Sequence, residues 1–168
     1  HYVISSRKRS FFLCVCIFKS CLNMEYTFPI TETAILLQCI PQRNPFVMVD
    51  CLYAHTPNQV VAGLSIANTG LFIQENELKE PGLIEHMAQT VALHTGFTYV
   101  VKNEQAPTGY IGSISNLEIY MLPKMNDQVE TTATIIQEFG GITLVEIQSK
   151  IKDVVIAKAH MKTVIAST

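Results

Sequence analysis

The chain has 168 residues, of which 48% are hydrophobic and 15% are charged. This length fits one domain that buries a core without disulfide support. The formal net charge of −2 excludes the strongly basic surface of a typical nucleic-acid-binding protein. The five cysteines form no CxxC pair and no Cys/His set at zinc spacing, so we expect no disulfide scaffold, no metal and no cofactor.

The first 23 residues differ in composition from the rest. Arg7, Lys8 and Arg9 precede an apolar run over residues 11–18. That run is too short to cross about 30 Å of hydrocarbon, and no small-x-small cleavage site follows it. Three interpretations are open: a degenerate signal, a membrane-surface anchor, or sequence upstream of the true start. We favour the third, in which Met24 begins a single domain over 24–168 of a cytoplasmic protein.

The next part of the chain predicts one short helix followed by two strands. Thr31 or Thr33 can cap the helix and Pro41 stops it. The strands are β-rich runs on either side of a Pro-Asn turn, and a polar, irregular segment follows them. These four parts are, in order, residues 31–40, 46–53, 60–66 and 67–80.

A long helix is predicted over residues 83–101, directly after Pro81-Gly82. Its apolar residues fall on more than one face, so we expect burial on most sides. Four long strands follow it, and Gly140-Gly141 is a hairpin signal between the second and third. The strands are residues 110–120, 128–139, 142–151 and 154–165. One buried helix before meandering strands predicts an α+β fold, with an antiparallel sheet wrapped around the helix.

Glu85 is the first candidate for chemistry, because it falls in the predicted first turn of an otherwise apolar helix. A carboxylate is favoured near a helix N-terminus, and an apolar setting allows proton exchange near neutral pH. Gln89 lies one turn further on the same face and can orient the carboxylate. The backbone N–H of Gly82 is expected to be free to bind a ligand carbonyl. A capping Glu and a surface Gln are the alternative explanation.

The histidines carry a weaker signal. His86 lies about 100° around the helix from Glu85, so the two are not expected to share a site. His94, more than two turns further on, is expected to be a buried, hydrogen-bonded structural residue. No pair of histidines has the spacing of a metal site.

Several segments together resemble a known family. Residues 40–50 read Ile-Pro-Gln-Arg-Asn-Pro-Phe-Val-Met-Val-Asp, which resembles the opening motif of hotdog-fold 3-hydroxyacyl-[acyl-carrier-protein] dehydratases, Leu-Pro-His-Arg-x-Pro-Phe-Leu-x-Val-Asp. Residues 68–72, Asn-Thr-Gly-Leu-Phe, look like that family's Asn-x-x-Phe-Phe. Residues 85–89, Glu-His-Met-Ala-Gln, resemble its Glu-Ala-Met-Ala-Gln, and residues 112–127 are similar to its later strand and turn. The match covers residues 31–166 in order.

The resemblance implies a hotdog fold, normally dimeric, and a lyase reaction on an acyl thioester of lipid metabolism. Glu85 takes the position of the catalytic acid, Gln89 the position that orients it, and Gly82 the position of a carbonyl-binding amide. In such enzymes a histidine removes the C2 proton of a 3-hydroxyacyl thioester, the carboxyl group protonates the leaving hydroxyl, and the chain lies in an apolar tunnel at the dimer interface.

The sequence departs from this pattern at the histidine. The family's Gly-His-Phe-Pro-Gly is absent, and its position falls at about Glu75 or Asn76, which we take as candidate substrate-binding residues. The histidine of the opening motif is Gln42 here. A shortened loop without histidine looks like the dehydratase-like proteins of aryl-polyene-type clusters, in which two different hotdog subunits can pair. Because the site of that family lies at a subunit interface, a partner chain could supply the missing base; the alternative is that the activity is lost.

Three functions stay open after this comparison. The chain is expected to be a dehydratase acting on an acyl carrier protein or coenzyme A thioester in fatty acid or polyene biosynthesis. The alternatives are an acyl thioesterase and a non-catalytic hotdog subunit of a homodimer or heterodimer. An acidic carrier protein would dock on basic residues, for which the candidates are Arg43, Lys79, Lys102 and Lys124.

Overall fold

The structure is a computed structural model, and it describes residues 26–165. The extension predicted over residues 1–23 lies outside the described residues. Two helices and eight strands form the described part, in the order α1 (Thr33–Cys39), β1 (Cys51–Thr56), β2 (Gln59–Ser65), β3 (Ile73–Gln74), β4 (Glu77–Leu78), α2 (Glu80–Val101), β5 (Gly109–Ile119), β6 (Gln128–Phe139), β7 (Ile142–Ile151) and β8 (Val154–Ile165).

Six strands form one antiparallel sheet in the order β1-β2-β6-β7-β8-β5. The tight β6–β7 turn is possible because Gly140 and Gly141 adopt φ values of 59° and 76°, which side chains disfavour. Strands β1 and β5 are the two edges of the sheet. The hairpin predicted at these glycines is confirmed.

Helix α2 packs across the sheet and carries much of the core. Its side chains are buried on several faces, as its apolar composition predicts: Leu83, Met87, Leu93 and Phe97 are fully or almost fully buried among strand residues such as Val60, Ile147 and Ile156. The α+β class and the sheet wrapped around one long helix are therefore confirmed. Neither described helix combines the length and the hydropathy that a membrane-spanning helix requires.

Helix α1 approaches α2 closely at a glycine. A Cβ atom placed on Gly96 would lie 1.9 Å from the backbone oxygen of Cys39, the last residue of α1. Glycine is unfavourable inside a helix, but Gly96 is the position at which the two helix backbones meet.

The segment predicted as a strand over residues 46–53 differs from the prediction, because β1 begins only at Cys51. The backbone groups of Phe46 and Met48 bond instead to side chains of α2. The region 67–80, predicted to be irregular, contains the short hairpin β3–β4.

Candidate active site

Glu85 lies in the second turn of α2, because the helix begins at Glu80 and not, as predicted, near Leu83. The expected stabilisation of its carboxylate by the helix N-terminus is therefore reduced, since that effect falls off within the first turn. The Glu85 side chain is half-buried and lines a cavity of about 620 Å³. Its hydrogen-bond partners come from α2 and from the loop after α1.

Gln89 is fully buried and has one possible orientation. Its Oε1 accepts the backbone N–H of Met48 at 2.7 Å, so its NH₂ group must face the other way. That group donates to the carbonyl oxygen of Phe46 at 2.6 Å and to Oε1 of Glu85 at 2.7 Å. A backbone segment that forms no strand thus fixes the amide, and the amide in turn holds the carboxylate.

Gln42 is a second amide beside the same carboxylate. Its Nε2 donates to Oε1 of Glu85 at 3.2 Å. The Oε1 atom of Gln42 is buried and has no hydrogen-bond partner among the described residues. Both amides therefore act on one oxygen of Glu85, and its Oε2 receives no hydrogen bond from residues 26–165.

The cavity extends from Glu85 along α2 to Lys102, about 25 Å at the rise of an α-helix. Small and branched apolar side chains form its middle: Ala88, Val91 and Ala92 on the helix and Ala133, Ile135 and Val145 on the sheet. Tyr99 and Lys102 lie at its far end, and Glu138 of β6 also lines it. The shape suits an extended apolar chain whose reacting end reaches the carboxylate.

His86 is fully buried and lies apart from this cavity, as predicted. Its Nδ1 donates to the carbonyl oxygen of Met48 at 2.7 Å, and its Nε2 accepts the hydroxyl of Thr131 at 2.9 Å. Burial lowers the pKa of His86 to about 4, which keeps the ring neutral. Its function in this arrangement is to hold the segment whose N–H fixes Gln89.

His55 and His94 line the cavity, which the sequence did not indicate. Their rings stack with centroids 4.9 Å apart, and each Nε2 donates to a backbone carbonyl, of His94 and Thr56 respectively. His94 is hydrogen-bonded as predicted but only half-buried. Sequence spacing gave no sign of the pair, since 39 residues separate the two positions.

The prediction of a free N–H at Gly82 is wrong. This N–H donates to the carbonyl oxygen of Lys79 at 2.9 Å, and a Cβ on Gly82 would lie 2.5 Å from Leu78 and 2.6 Å from Phe72. The glycine is needed here for close packing of the helix start.

Glu75 and Asn76 are not brought to the cavity either. They form the exposed tip of the β3–β4 hairpin, with φ values of 54° and 61°, and neither lines the space beside Glu85. Their left-handed conformation belongs to a two-residue hairpin turn. In residues 26–165, no group of three His, Cys, Asp or Glu side chains has the geometry of a metal site.

Comparison with known proteins places this geometry in a family context. No curated protein sequence matches the chain. One chain of the dehydratase heterocomplex ApeI:P from Xenorhabdus doucetiae matches with a TM-score of 0.72 at 14% identity, over 79% of this chain and 91% of that one.

Two further structures share the fold at low identity. Cj0977, a sigma28-regulated virulence protein from Campylobacter jejuni, has a TM-score of 0.62 at 12% identity, over 80% of this chain and 97% of that one. A hypothetical thioesterase from Streptococcus pneumoniae, crystallised with coenzyme A, has a TM-score of 0.53 at 10% identity, over 70% of this chain and 85% of that one.

At this level of identity the structural matches establish the hotdog fold. The family assignment comes from the sequence itself, since the model of the ApeP-like family, described as ApeP dehydratase, matches residues 35–166. That range contains all of the opening motif, the Glu85–Gln89 pair and the strands around the cavity. The chain is a hotdog-fold protein and belongs to the ApeP-like dehydratase family.

Proposed function

We propose that the chain is a subunit of a 3-hydroxyacyl thioester dehydratase and that Glu85 is its catalytic acid. The observation that carries the proposal is a carboxylate held through one oxygen by Gln89 and Gln42 at the end of an apolar cavity. Its second oxygen is left for a ligand. An oriented carboxyl group within reach of a substrate hydroxyl is suited to general acid catalysis.

In the proposed reaction, a base removes one C2 proton of the substrate. The electron pair of that C–H bond forms the C2–C3 double bond, and the C3–O bond breaks as Glu85 protonates the departing hydroxyl. The products are a 2-enoyl thioester and water. The apolar walls around Ala88, Val91 and Ala92 accommodate the acyl chain.

A second hotdog subunit is part of the proposal, and strand β5 is its docking edge. Every residue from Gly109 to Glu118 is exposed, including the large apolar side chains of Tyr110, Ile114 and Leu117. A long apolar edge strand is normally paired or covered in a native assembly. The related ApeI:P dehydratase is a heterocomplex, which supports a non-identical partner.

The carrier of the thioester is proposed to be an acyl carrier protein or coenzyme A. Lys102 lies at the end of the cavity that the acyl tail would occupy, so it is not placed to meet a carrier attached at the thioester. Lys79 is bonded to Glu77 at 2.9 Å, and the guanidinium of Arg43 donates to the carbonyls of Ile40 and Gln42. These contacts make Lys79 and Arg43 weaker candidates.

The proposal is tested by Glu85→Gln in the complete enzyme. The chain is co-expressed with a hotdog subunit that carries a histidine, and formation of the enoyl thioester is followed from 3-hydroxyacyl substrates on both carriers. We expect the substitution to reduce turnover by at least about 100-fold, the usual contribution of a general acid.

Glu80→Gln is the matched control, because Glu80 is an exposed carboxylate on the same helix and does not line the cavity. Full activity of the Glu85→Gln complex would contradict an acid role and favour a non-catalytic subunit. Release of free thiol without enoyl product would identify a thioesterase instead.

A further inference from the structure

A path of five buried hydrogen bonds joins the sheet to the Glu85 carboxylate through the core. We propose that Thr131 of β6 and Ser149 of β7 are positioning residues for the proposed catalytic acid. They act on it through His86 and Gln89, so the inference rests on the proposed function of Glu85. The dehydratase motif Glu-Ala-Met-Ala-Gln has alanine in place of His86, so this path is not part of that motif.

The first part of the path connects the sheet to the segment before β1. The hydroxyl oxygens of Thr131 and Ser149 are 2.6 Å apart. Oγ1 of Thr131 is also 2.9 Å from Nε2 of His86, and Nδ1 of that ring is 2.7 Å from the carbonyl oxygen of Met48. Two strands and the imidazole ring therefore hold the backbone at Met48.

The second part connects that backbone to the carboxylate. The N–H of Met48 donates to Oε1 of Gln89 at 2.7 Å, and Nε2 of Gln89 donates to Oε1 of Glu85 at 2.7 Å. A shift of the Met48 backbone therefore moves the amide, and the amide moves the carboxylate. Such a shift matters for turnover, because a misplacement of about 1 Å can reduce a rate by about 100-fold.

The direction of these bonds is fixed by the groups that form them. The carbonyl oxygen of Met48 can only accept, so Nδ1 of His86 carries the hydrogen. Burial lowers the pKa of His86, so the ring is neutral and the Thr131 hydroxyl must donate to the lone pair of Nε2. The Thr131 oxygen then accepts from Ser149. Every hydrogen on the path thus points towards Glu85, and hydrogen bonds aligned in this way polarise one another.

The path is closed to water. Ser149, Thr131, His86 and Gln89 are fully buried, and Met48 is 9% exposed. A hydrogen bond lost from the path cannot be replaced by a bond to solvent, so the group left without a partner is costly in place. Removing one hydroxyl is therefore expected to change the geometry of the groups that follow it.

The main test is Thr131→Val in the complex of the full chain with a histidine-bearing hotdog subunit. Valine is close to threonine in shape but has no hydroxyl, so Nε2 of His86 loses its donor. We expect kcat for enoyl thioester formation to fall at least about fivefold. KM is expected to stay unchanged, because Thr131 does not line the cavity. Ser149→Ala is expected to reduce kcat by a smaller factor, since it leaves that donor in place.

Thr90→Val is the matched control and is expected to leave kcat unchanged. Thr90 is also fully buried, and its hydroxyl donates to the backbone carbonyl of His86, outside the path. In a Gln89→Met background, Thr131→Val is expected to cause no further loss of kcat, because the route to Glu85 has already been cut. Equal kcat values for Thr131→Val and Thr90→Val, or losses that add to that of Gln89→Met, would overturn this inference.

Nuclear magnetic resonance of the isolated, nitrogen-15-labelled full chain tests the path without turnover. The His86 ring is expected to be protonated on Nδ1 only, and Thr131→Val, unlike Thr90→Val, is expected to shift the side-chain amide signals of Gln89. A ring protonated on Nε2, or unchanged Gln89 signals, would overturn the inference. If Glu85→Gln leaves the two-subunit complex active, the proposed function fails, whereas the spectra still decide whether the path exists.

Discussion

The carboxamide of Gln89 is held in one orientation, which its sequence spacing does not predict. Four residues separate it from Glu85, which places both on one face of a helix, but the spacing does not show which end of the amide faces the carboxylate. The N–H of Met48 decides that question, because it can only donate and so selects Oε1 of Gln89. A Gln89→Glu substitution would remove the N–H donors to Phe46 and Glu85 and would place a second carboxylate next to that of Glu85.

His86 makes folding dependent on pH. Burial lowers its pKa to about 4 from the value of 6.5 expected in the unfolded chain. Between these values the unfolded chain binds more protons, so stability is complete above pH 6.5 and is lost as the pH falls towards 4. We expect the loss of unfolding free energy to be about 2 kcal/mol between roughly pH 6.5 and pH 5.

Urea unfolding of the wild type and of His86→Gln at several pH values measures this effect. The variant is expected to be less stable at pH 7 and to have a flatter pH dependence, because one titrating group has been removed. His160→Gln, on β8 and bonded to the Asn116 side chain, is the control. An unchanged slope in His86→Gln would contradict the assignment.

The sequence supplied part of the site and the tertiary fold supplied the rest. The Glu85–Gln89 pair could be predicted because both residues lie on one helix. The contact of Gln42 with Glu85 spans 43 positions, and no local pattern reveals it. Gly82 was misjudged for the same reason, since Phe72 and Leu78 approach it from a hairpin that the sequence pattern did not indicate.

At the level of elements, periodicity and turn residues located the helices and long strands to within a few residues. The exception is the run from Phe46 to Val49, which is apolar and β-rich yet forms no strand. Its backbone groups bond to Gln89 and His86 of α2, so they are not available to pair with a neighbouring strand. Tertiary contacts here override strand propensity.

The contact between the two helices can be tested at Gly96. Helix propensity alone predicts that Gly96→Ala stabilises α2 by about 1 kcal/mol. We expect the opposite, a loss of at least 1–3 kcal/mol in unfolding free energy, because the new methyl group would meet the backbone oxygen of Cys39 at 1.9 Å.

Gly109→Ala is a suitable comparison for this substitution, because a Cβ there meets only the Val164 oxygen at 3.9 Å. Chemical denaturation of both variants gives the two free-energy differences. Stabilisation by Gly96→Ala would show that α1 does not pack against α2 as described.

At the level of the whole molecule, the exposed edge strand β5 is the feature that most needs a partner. Ile114 is 40% exposed although it lies in the middle of this strand. We expect Ile114→Lys to weaken the proposed two-subunit complex, because burying an unpaired ammonium group at an apolar edge is unfavourable. The mass of the complex, measured by light scattering after gel filtration, reports the change.

Val154→Lys provides the matched control, since Val154 is 58% exposed at the start of β8, where it pairs with Ile151 of β7 and lies beyond the part of β8 that pairs with β5. It is expected to leave the mass unchanged. A complex that forms equally well with Ile114→Lys would place the interface elsewhere.

Tyr110 and Ile111 belong both to this edge strand and to the lining of the cavity. A neighbour seated on β5 would therefore contribute to the wall against which the acyl chain rests. Exchanging one neighbour for another would then alter which chain lengths are accepted without any mutation in this protein. The range of accepted substrates would then depend on which two chains pair. It could change in evolution through duplication of the neighbour alone.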